Sequence, residues 1–160
     1  MTANRYEALL LLGPTGSGKT PLGQVLAESG INNLPCAHFD FGDNLRAVAA
    51  RSNEDAEFAV DDILFLRRVL ETGALLEDKD FPIAERILKS FLTISAQTAS
   101  TMIILNGLPR HVGQASALEP LLHVQTVVQL HCTPRTVYER LACNTGGDRA
   151  ERVDDQLHDI

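Results

Sequence analysis

Eight residues near the start of the chain, GPTGSGKT at 13–20, could hold the phosphates of a nucleotide. They match the pattern G-x-x-x-x-G-K-[ST] at every fixed position. The glycines of such a loop let backbone amides approach phosphate oxygens, aided by the start of the following helix. Lys19 is expected to reach the β- and γ-phosphates, and the Thr20 hydroxyl to ligate Mg²⁺. The predicted ATP-binding residues of the loop are Gly13, Pro14, Thr15, Gly16, Ser17, Gly18, Lys19 and Thr20.

Pro21 directly follows this motif. In the first turn of a helix its missing N–H removes no intrahelical bond. An amide at this position could otherwise bond the α-phosphate. We therefore predict a looser contact with the α-phosphate but a working loop.

Alternating strands and helices must position this loop. Apolar runs predict strands at 8–13, 36–41, 101–107 and 124–132. Between and after them the sequence predicts helices at 18–29, from Gly42-Asp43 to 49 with Asp43 as cap, 54–73, 82–97, 113–122 and 133–142. This order predicts right-handed βαβ units and a parallel sheet with its ligands at the carboxyl ends of the strands. The expected fold is a three-layer α/β/α P-loop NTPase fold with four strands, in a single domain over 1–160.

Composition excludes several classes of protein. The net charge of −7 argues against general binding to nucleic acid or to an anionic membrane, and no apolar run reaches membrane-spanning length. Cys36, Cys132 and Cys143 lie far apart with no C-x-x-C spacing, so neither a disulfide framework nor a zinc site is expected. Reduced thiols favour a cytoplasmic location.

Three further stretches are FDFGDNLRAVA (39–49), ILNGLPRHVGQASAL (104–118) and YERLACNTGGDRAERVDD (138–155). Together with the P-loop, in this order and spacing, they resemble the adenylate kinase family of nucleoside monophosphate kinases from Leu9 to Asp155. The helical segment at about 41–73 has the layout of the family's monophosphate-binding part. The polar loop at about 143–152 is similar to the lid of the short-lid members.

The resemblance implies roles for residues beyond the P-loop. Arg46 and Arg110 would bind the acceptor's phosphate, Gln114 would bond its base, and Gly107 would let it approach the backbone. Arg152 would bind the transferred phosphoryl group from the lid, and Arg140 would lie near the donor. Phosphoryl transfer between nucleotides does require several guanidinium groups to converge on crowded oxygens. Arg149 is a further lid candidate, and Asp154 and Asp155 match the family's R-x-D-D pattern.

Four features depart from the family's pattern. The P-loop reads G-K-T-P rather than G-K-G-T. Phe41 replaces a small residue beside the acceptor, where a ring could stack on the base or block it. Asn106 replaces an Asp that holds Mg²⁺ through water; it keeps an oxygen for the metal but no charge. Asp40, at the end of the neighbouring strand, is a conceivable substitute carboxylate, and a structural or capping role is the alternative for it. The family continues with a fifth strand, whereas this sequence stops at Ile160, so we expect either a truncated chain or a second copy covering the open sheet edge.

The resulting interpretation is a Mg²⁺-dependent nucleoside monophosphate kinase that uses ATP, with AMP as the default acceptor. One alternative is a nucleotide-binding module with weak or no catalysis, which Pro21, Asn106 and the short C-terminus favour. Another is a P-loop kinase for a different small molecule, against which the GLPR stretch and Gln114 argue.

Overall fold

A computed structural model describes residues 5–52, 54, 57–74, 76–95 and 100–143. The strands are β1 (Tyr6–Leu12), β2 (Cys36–Asp40), β3 (Met102–Asn106) and β4 (Leu122–Gln129). The helices are α1 (Lys19–Ser29), α2 (Phe41–Ala49), α3 (Val60–Thr72), α4 (Phe81–Ser95), α5 (Val112–Leu118) and α6 (Pro134–Ala142), with a short 3₁₀ turn at Asp78–Asp80.

The four strands form one parallel sheet in the order β2-β3-β1-β4. Successive residues of β1 face opposite sides, as strand geometry requires. Ala8 and Leu10 belong to a core cluster that also contains residues of α2, α3 and α4, whereas Leu11 packs in a second cluster with residues of α1. The sheet therefore lies between two helical layers, and the predicted three-layer P-loop fold is confirmed.

Strand register sets the height of the site. Asp40, the last residue of β2, pairs with Asn106, the last residue of β3, and Asn106 pairs with Leu11 of β1. The segments after these three strands therefore begin at the same edge of the sheet. All five residues of β3 are buried, so the strand that ends at Asn106 is part of the core of the sheet.

Several predicted element boundaries need correction. Helix α2 begins at Phe41, and its N-cap is Asp40, whose Oδ1 accepts from the Asp43 amide at 3.2 Å; Asp43 itself is not the cap. Helix α3 begins at Val60 rather than 54. Phe58, just before it, is buried in the core under the guanidinium groups of Arg51 and Arg86, and this packing keeps Phe58 itself outside the helix.

The end of the predicted helix at 113–122 is also wrong. Helix α5 ends at Leu118, because the following residues join the sheet: the Leu121 carbonyl accepts from the Tyr6 amide, and Leu122 opens β4 as the register partner of Tyr6. The fourth strand, predicted at 124–132, runs from Leu122 to Gln129, because its pairing with β1 starts at Tyr6 and ends at Leu12. Three helix termini agree with the sequence pattern. Gly30 and Gly73 end α1 and α3, and Thr133 Oγ1 caps α6 by accepting from the Thr136 amide.

Candidate functional site

The phosphate loop connects β1 to α1 and depends on glycine where it leaves the sheet. Gly13 has φ +147°, and a Cβ there would lie 2.8 Å from both the Leu130 carbonyl oxygen and Ser17 Oγ. Gly18 has φ +102° at the N-cap position of α1. Side chains at these positions would be strained, so the sequence motif has a direct conformational reason.

Lys19 folds back over the loop. Its Nζ donates to the carbonyl oxygens of Gly13 at 2.6 Å and Pro14 at 2.9 Å. The Ser17 amide donates to the same Pro14 carbonyl, while Ser17 Oγ is buried without a hydrogen-bond partner. An ammonium group and an unsatisfied hydroxyl thus lie in one loop, which suits an anionic ligand with acceptor oxygens.

Pro21 lies in the first turn of α1, where the first intrahelical bond runs from the Leu22 amide to Gly18 O at 3.1 Å. The helix therefore accommodates this proline without losing a bond. Its predicted effect on the α-phosphate stays a prediction.

A polar cluster joins the P-loop to the ends of β2 and β3. Thr20 Oγ1 donates to Asp40 Oδ2 at 2.8 Å, and Asn106 Nδ2 donates to the same oxygen at 2.7 Å. Asn106 Nδ2 also lies 3.0 Å from Thr20 Oγ1. Asp40 and Asn106 are both buried. The two residues predicted to hold metal, Thr20 and Asn106, are thus brought together around a carboxylate.

This cluster fits Mg²⁺ in its chemistry. It offers a hydroxyl, a carboxylate and a carboxamide, and Mg²⁺ is usually held by one or two carboxylates together with substrate phosphates and water. Among the described residues no group of three or more His, Cys, Asp or Glu could hold a metal by itself. A bound nucleotide would therefore have to supply part of the coordination shell.

The predicted acceptor residues surround Gly107. Gly107 has φ +84°, and a Cβ there would lie 3.3 Å from Phe41 Cβ. Arg110 Nε donates to Gly107 O at 3.0 Å, and the Arg110 amide donates to Oε1 of the buried Gln114 at 2.9 Å. The Phe41 ring is buried in the core beside Phe39, so it packs in the hydrophobic core, and its predicted contact with an acceptor base stays a prediction.

Arg46 lies on α2, the helix that begins at Phe41. Its guanidinium pairs with Asp43 one turn earlier, and it passes over Gly42, where a Cβ would lie 3.4 Å from Arg46 Nη1 and 3.3 Å from Asp40 Oδ1. The i,i+3 spacing of Asp43 and Arg46 is the sequence signal for this pair, which our sequence reasoning missed. A phosphate bound by Arg46 would compete with Asp43.

Arg140 reaches the donor side from α6. Its Nη1 donates to Gly16 O at 3.0 Å, which puts the guanidinium on the P-loop. The lid at about 143–152, with Arg149 and Arg152, and the R-x-D-D aspartates Asp154 and Asp155 lie outside the described residues, apart from Cys143.

His38 is a half-buried group that the sequence interpretation left without a role. Its Nε2 has no hydrogen-bond partner, and the ring packs against Gly23 of α1. Burial lowers the pKa of His38, and the charges of Asp40 and Asp43 oppose that shift. The imidazole is therefore neutral near pH 7, and it packs against α1 from its position on β2.

The chain is similar in sequence to a described protein family and to known enzymes. A family described as AAA domain matches residues 12–160. An adenylate kinase of Helicobacter pylori (strain G27) is 29% identical over 154 residues, covering 92% of this chain and 73% of that enzyme. An adenylate kinase of Stenotrophomonas maltophilia (strain R551-3) is 36% identical over 139 residues, covering 84% of this chain and 66% of the relative.

A solved structure extends the likeness at the level of the fold. A chain of the Pnkp1/Rnl/Hen1 complex superimposes with a TM-score of 0.50 at 12% identity, covering 88% of this chain and 40% of that one. No helix in the described ranges has both the length and the apolar character needed to cross a membrane. The chain therefore belongs to the AAA domain family and is similar to adenylate kinases over most of its length, as its motifs predict.

Proposed function

We propose that this protein is a nucleoside monophosphate kinase, which transfers the γ-phosphoryl group of ATP to the phosphate of a nucleoside monophosphate, with AMP as the default acceptor. The observation that carries the proposal is that the P-loop and two candidate phosphate-binding arginines follow strands that end at one edge of the sheet. The P-loop follows β1, while Arg46 and Arg110 follow β2 and β3, whose last residues are register partners. The similarity to adenylate kinases supports the same assignment.

The donor half consists of the P-loop and Arg140. On binding ATP, Lys19 would exchange its bonds to the Gly13 and Pro14 carbonyls for phosphate oxygens. Ser17 Oγ, buried and without a partner, could donate to the same phosphates. The Arg140 guanidinium, already on the Gly16 carbonyl, would add positive charge beside them.

The acceptor half consists of Arg46, Arg110, Gly107 and Gln114. Gln114 holds the Arg110 backbone, and the Gly107 carbonyl holds its guanidinium, so this arginine is preorganised. Arg46 would leave Asp43 to bind the acceptor phosphate. Because the attacking atom is an already ionised phosphate oxygen, the transfer requires alignment and charge neutralisation rather than a strong base. Mg²⁺ bound at the cluster of Thr20, Asp40 and Asn106 would neutralise charge on the donor phosphates.

A coupled assay with ATP–Mg²⁺ and a panel of AMP, CMP, UMP and GMP tests this function. We expect turnover with one of them, and Arg110→Ala should lower kcat/KM for that acceptor about 100-fold. Arg68→Ala, an exposed change on α3, is the matched control and should behave as the parent. Unchanged turnover in Arg110→Ala would contradict the site assignment.

A second candidate function is nucleotide binding without transfer. The observation that favours it is Asn106, which supplies a carboxamide where the adenylate kinase pattern has a carboxylate. In that case ATP would bind the P-loop, but none of the four monophosphates would be phosphorylated.

A further inference from the structure

Asp40 is a buried carboxylate whose charge needs an explanation. It is 8% exposed, and its three hydrogen-bond donors are neutral: the Thr20 hydroxyl, the Asn106 amide and the Asp43 backbone N–H. No ion pair within the described residues includes Asp40. Burying a carboxylate is unfavourable unless its charge is compensated, so a cationic ligand beside it would stabilise this arrangement.

Thr20 Oγ1 and Asp40 Oδ2 are hydrogen-bonded at 2.8 Å, so both oxygens lie close enough to face one bound ion. The Thr20 hydroxyl donates its proton to Asp40 and accepts from Asn106 Nδ2, so one lone pair remains available to a metal.

Asn106 has the complementary role in this cluster. Its Nδ2 donates both to Asp40 and toward Thr20, so the atom facing the cluster is a donor and not a metal ligand. Strands β2 and β3 pair in register at Asp40 and Asn106. The carboxylate of this chain therefore lies at the end of β2, whereas the adenylate kinase pattern has a carboxylate at the end of β3. P-loop enzymes hold Mg²⁺ with the loop Ser or Thr and one such carboxylate.

We propose that Asp40 supplies the anionic oxygen of a Mg²⁺ site shared with Thr20, and that Asn106 is a positioning residue that orients this carboxylate. The proposal deepens the proposed function and rests only on its donor half, the binding of ATP by the P-loop. The acceptor nucleotide takes no part in it.

The test exchanges the two side chains. Asp40→Asn removes the charge but keeps the volume and an oxygen that can cap α2. Asn106→Asp in the same chain returns one carboxylate on the neighbouring strand. Binding of Mn²⁺ together with a non-hydrolysable ATP analogue, followed by electron paramagnetic resonance, measures the metal site without turnover. Asp61→Asn, an exposed charge removal on α3, is the control.

Asp40→Asn should weaken Mn²⁺ binding in the nucleotide complex at least about 10-fold, while Asp61→Asn should not change it. The double variant Asp40→Asn/Asn106→Asp should return to within a few-fold of the parent. Thermal melting of each variant confirms that it is folded. Parent-like Mn²⁺ binding by folded Asp40→Asn would overturn the proposal, even if turnover fell, because that result assigns Asp40 to proton transfer or structure.

The outcome separates this inference from the proposed function. If no monophosphate accepts a phosphoryl group but Asp40→Asn still loses Mn²⁺ affinity, the kinase function fails and the metal assignment stands. If transfer occurs and Asp40→Asn binds Mn²⁺ normally, the metal assignment alone fails. A parent protein that binds no Mn²⁺–nucleotide complex overturns both.

Discussion

Gly23 should be replaceable by alanine only when the His38 ring is removed. An added Cβ at Gly23 would lie 2.2 Å from His38 Nε2 and 2.3 Å from Cδ2, more than 1 Å inside ordinary contact. Because His38 Nε2 is itself buried, the ring has little room to withdraw. The likewise buried Gly23 lies inside helix α1, so the helix and strand β2 would have to separate.

The sign of the effect follows from two opposing terms. Overpacking a buried contact this severely costs about 3 kcal/mol of folding free energy. Replacing glycine by alanine inside a helix returns about 1 kcal/mol. Gly23→Ala alone should therefore lose about 2 kcal/mol, a fall in Tm of roughly 4–8 °C for a chain of this size. In a His38→Ala background the clash is gone, and the same change should stabilise by up to about 1 kcal/mol.

Urea unfolding of the four proteins in this double-mutant cycle gives the coupling energy directly. Gln24→Ala, an exposed change on the same helix, controls for helix propensity. Since α1 carries Thr20 and β2 carries Asp40, Gly23→Ala should also weaken Mn²⁺–nucleotide binding, and His38→Ala should restore it. A Gly23→Ala effect of the same sign and size with and without the His38 ring would refute the reasoning.

Three further outcomes are expected. Arg140→Ala removes a charged hydrogen-bond donor from the Gly16 carbonyl and should weaken ATP binding about 10-fold, measured by calorimetry. Arg135→Ala on the same helix should leave ATP binding unchanged. Equal effects of the two changes would contradict a role of Arg140 in binding ATP. Because burial lowers the pKa of His38, the unfolded chain binds more protons than the folded chain, and the folded state should lose stability as pH falls below about 6.5. In urea titrations at several pH values, His38→Gln should flatten this dependence of stability on pH. An unchanged dependence would contradict the role given to His38. Val127 is 54% exposed on the edge strand β4. If the protein self-associates through this edge, Val127→Lys should abolish the concentration-dependent association measured by sedimentation. Association that survives the change would contradict a contact through β4.

The parts of the fold that depend on local pattern could be predicted from the sequence. The P-loop, the four strands and the helix ends at Gly30 and Gly73 follow from short-range signals: glycines with positive φ and apolar runs. The Thr133 cap and the first-turn proline of α6 could also be predicted, because each depends only on the residue types at the start of the helix.

Contacts between distant segments could not be predicted in this way. Asp40 and Asn106 are 66 positions apart, and their hydrogen bond arises from the register of β2 against β3. The contact of Gly23 with His38 depends on how α1 packs on the sheet. The position of Phe58 outside α3 follows from its packing under two guanidinium groups, which overrides a helix-like pattern at this residue.

Phosphorus NMR of a mixture of ATP, Mg²⁺, AMP and the protein follows phosphoryl transfer between the two nucleotides. We expect the ATP and AMP signals to fall together while ADP signals grow without inorganic phosphate, and Arg110→Ala to suppress this exchange. If none of AMP, CMP, UMP and GMP yields a diphosphate, or if ATP gives only ADP and inorganic phosphate, the claim that two phosphate sites meet at this sheet edge is contradicted.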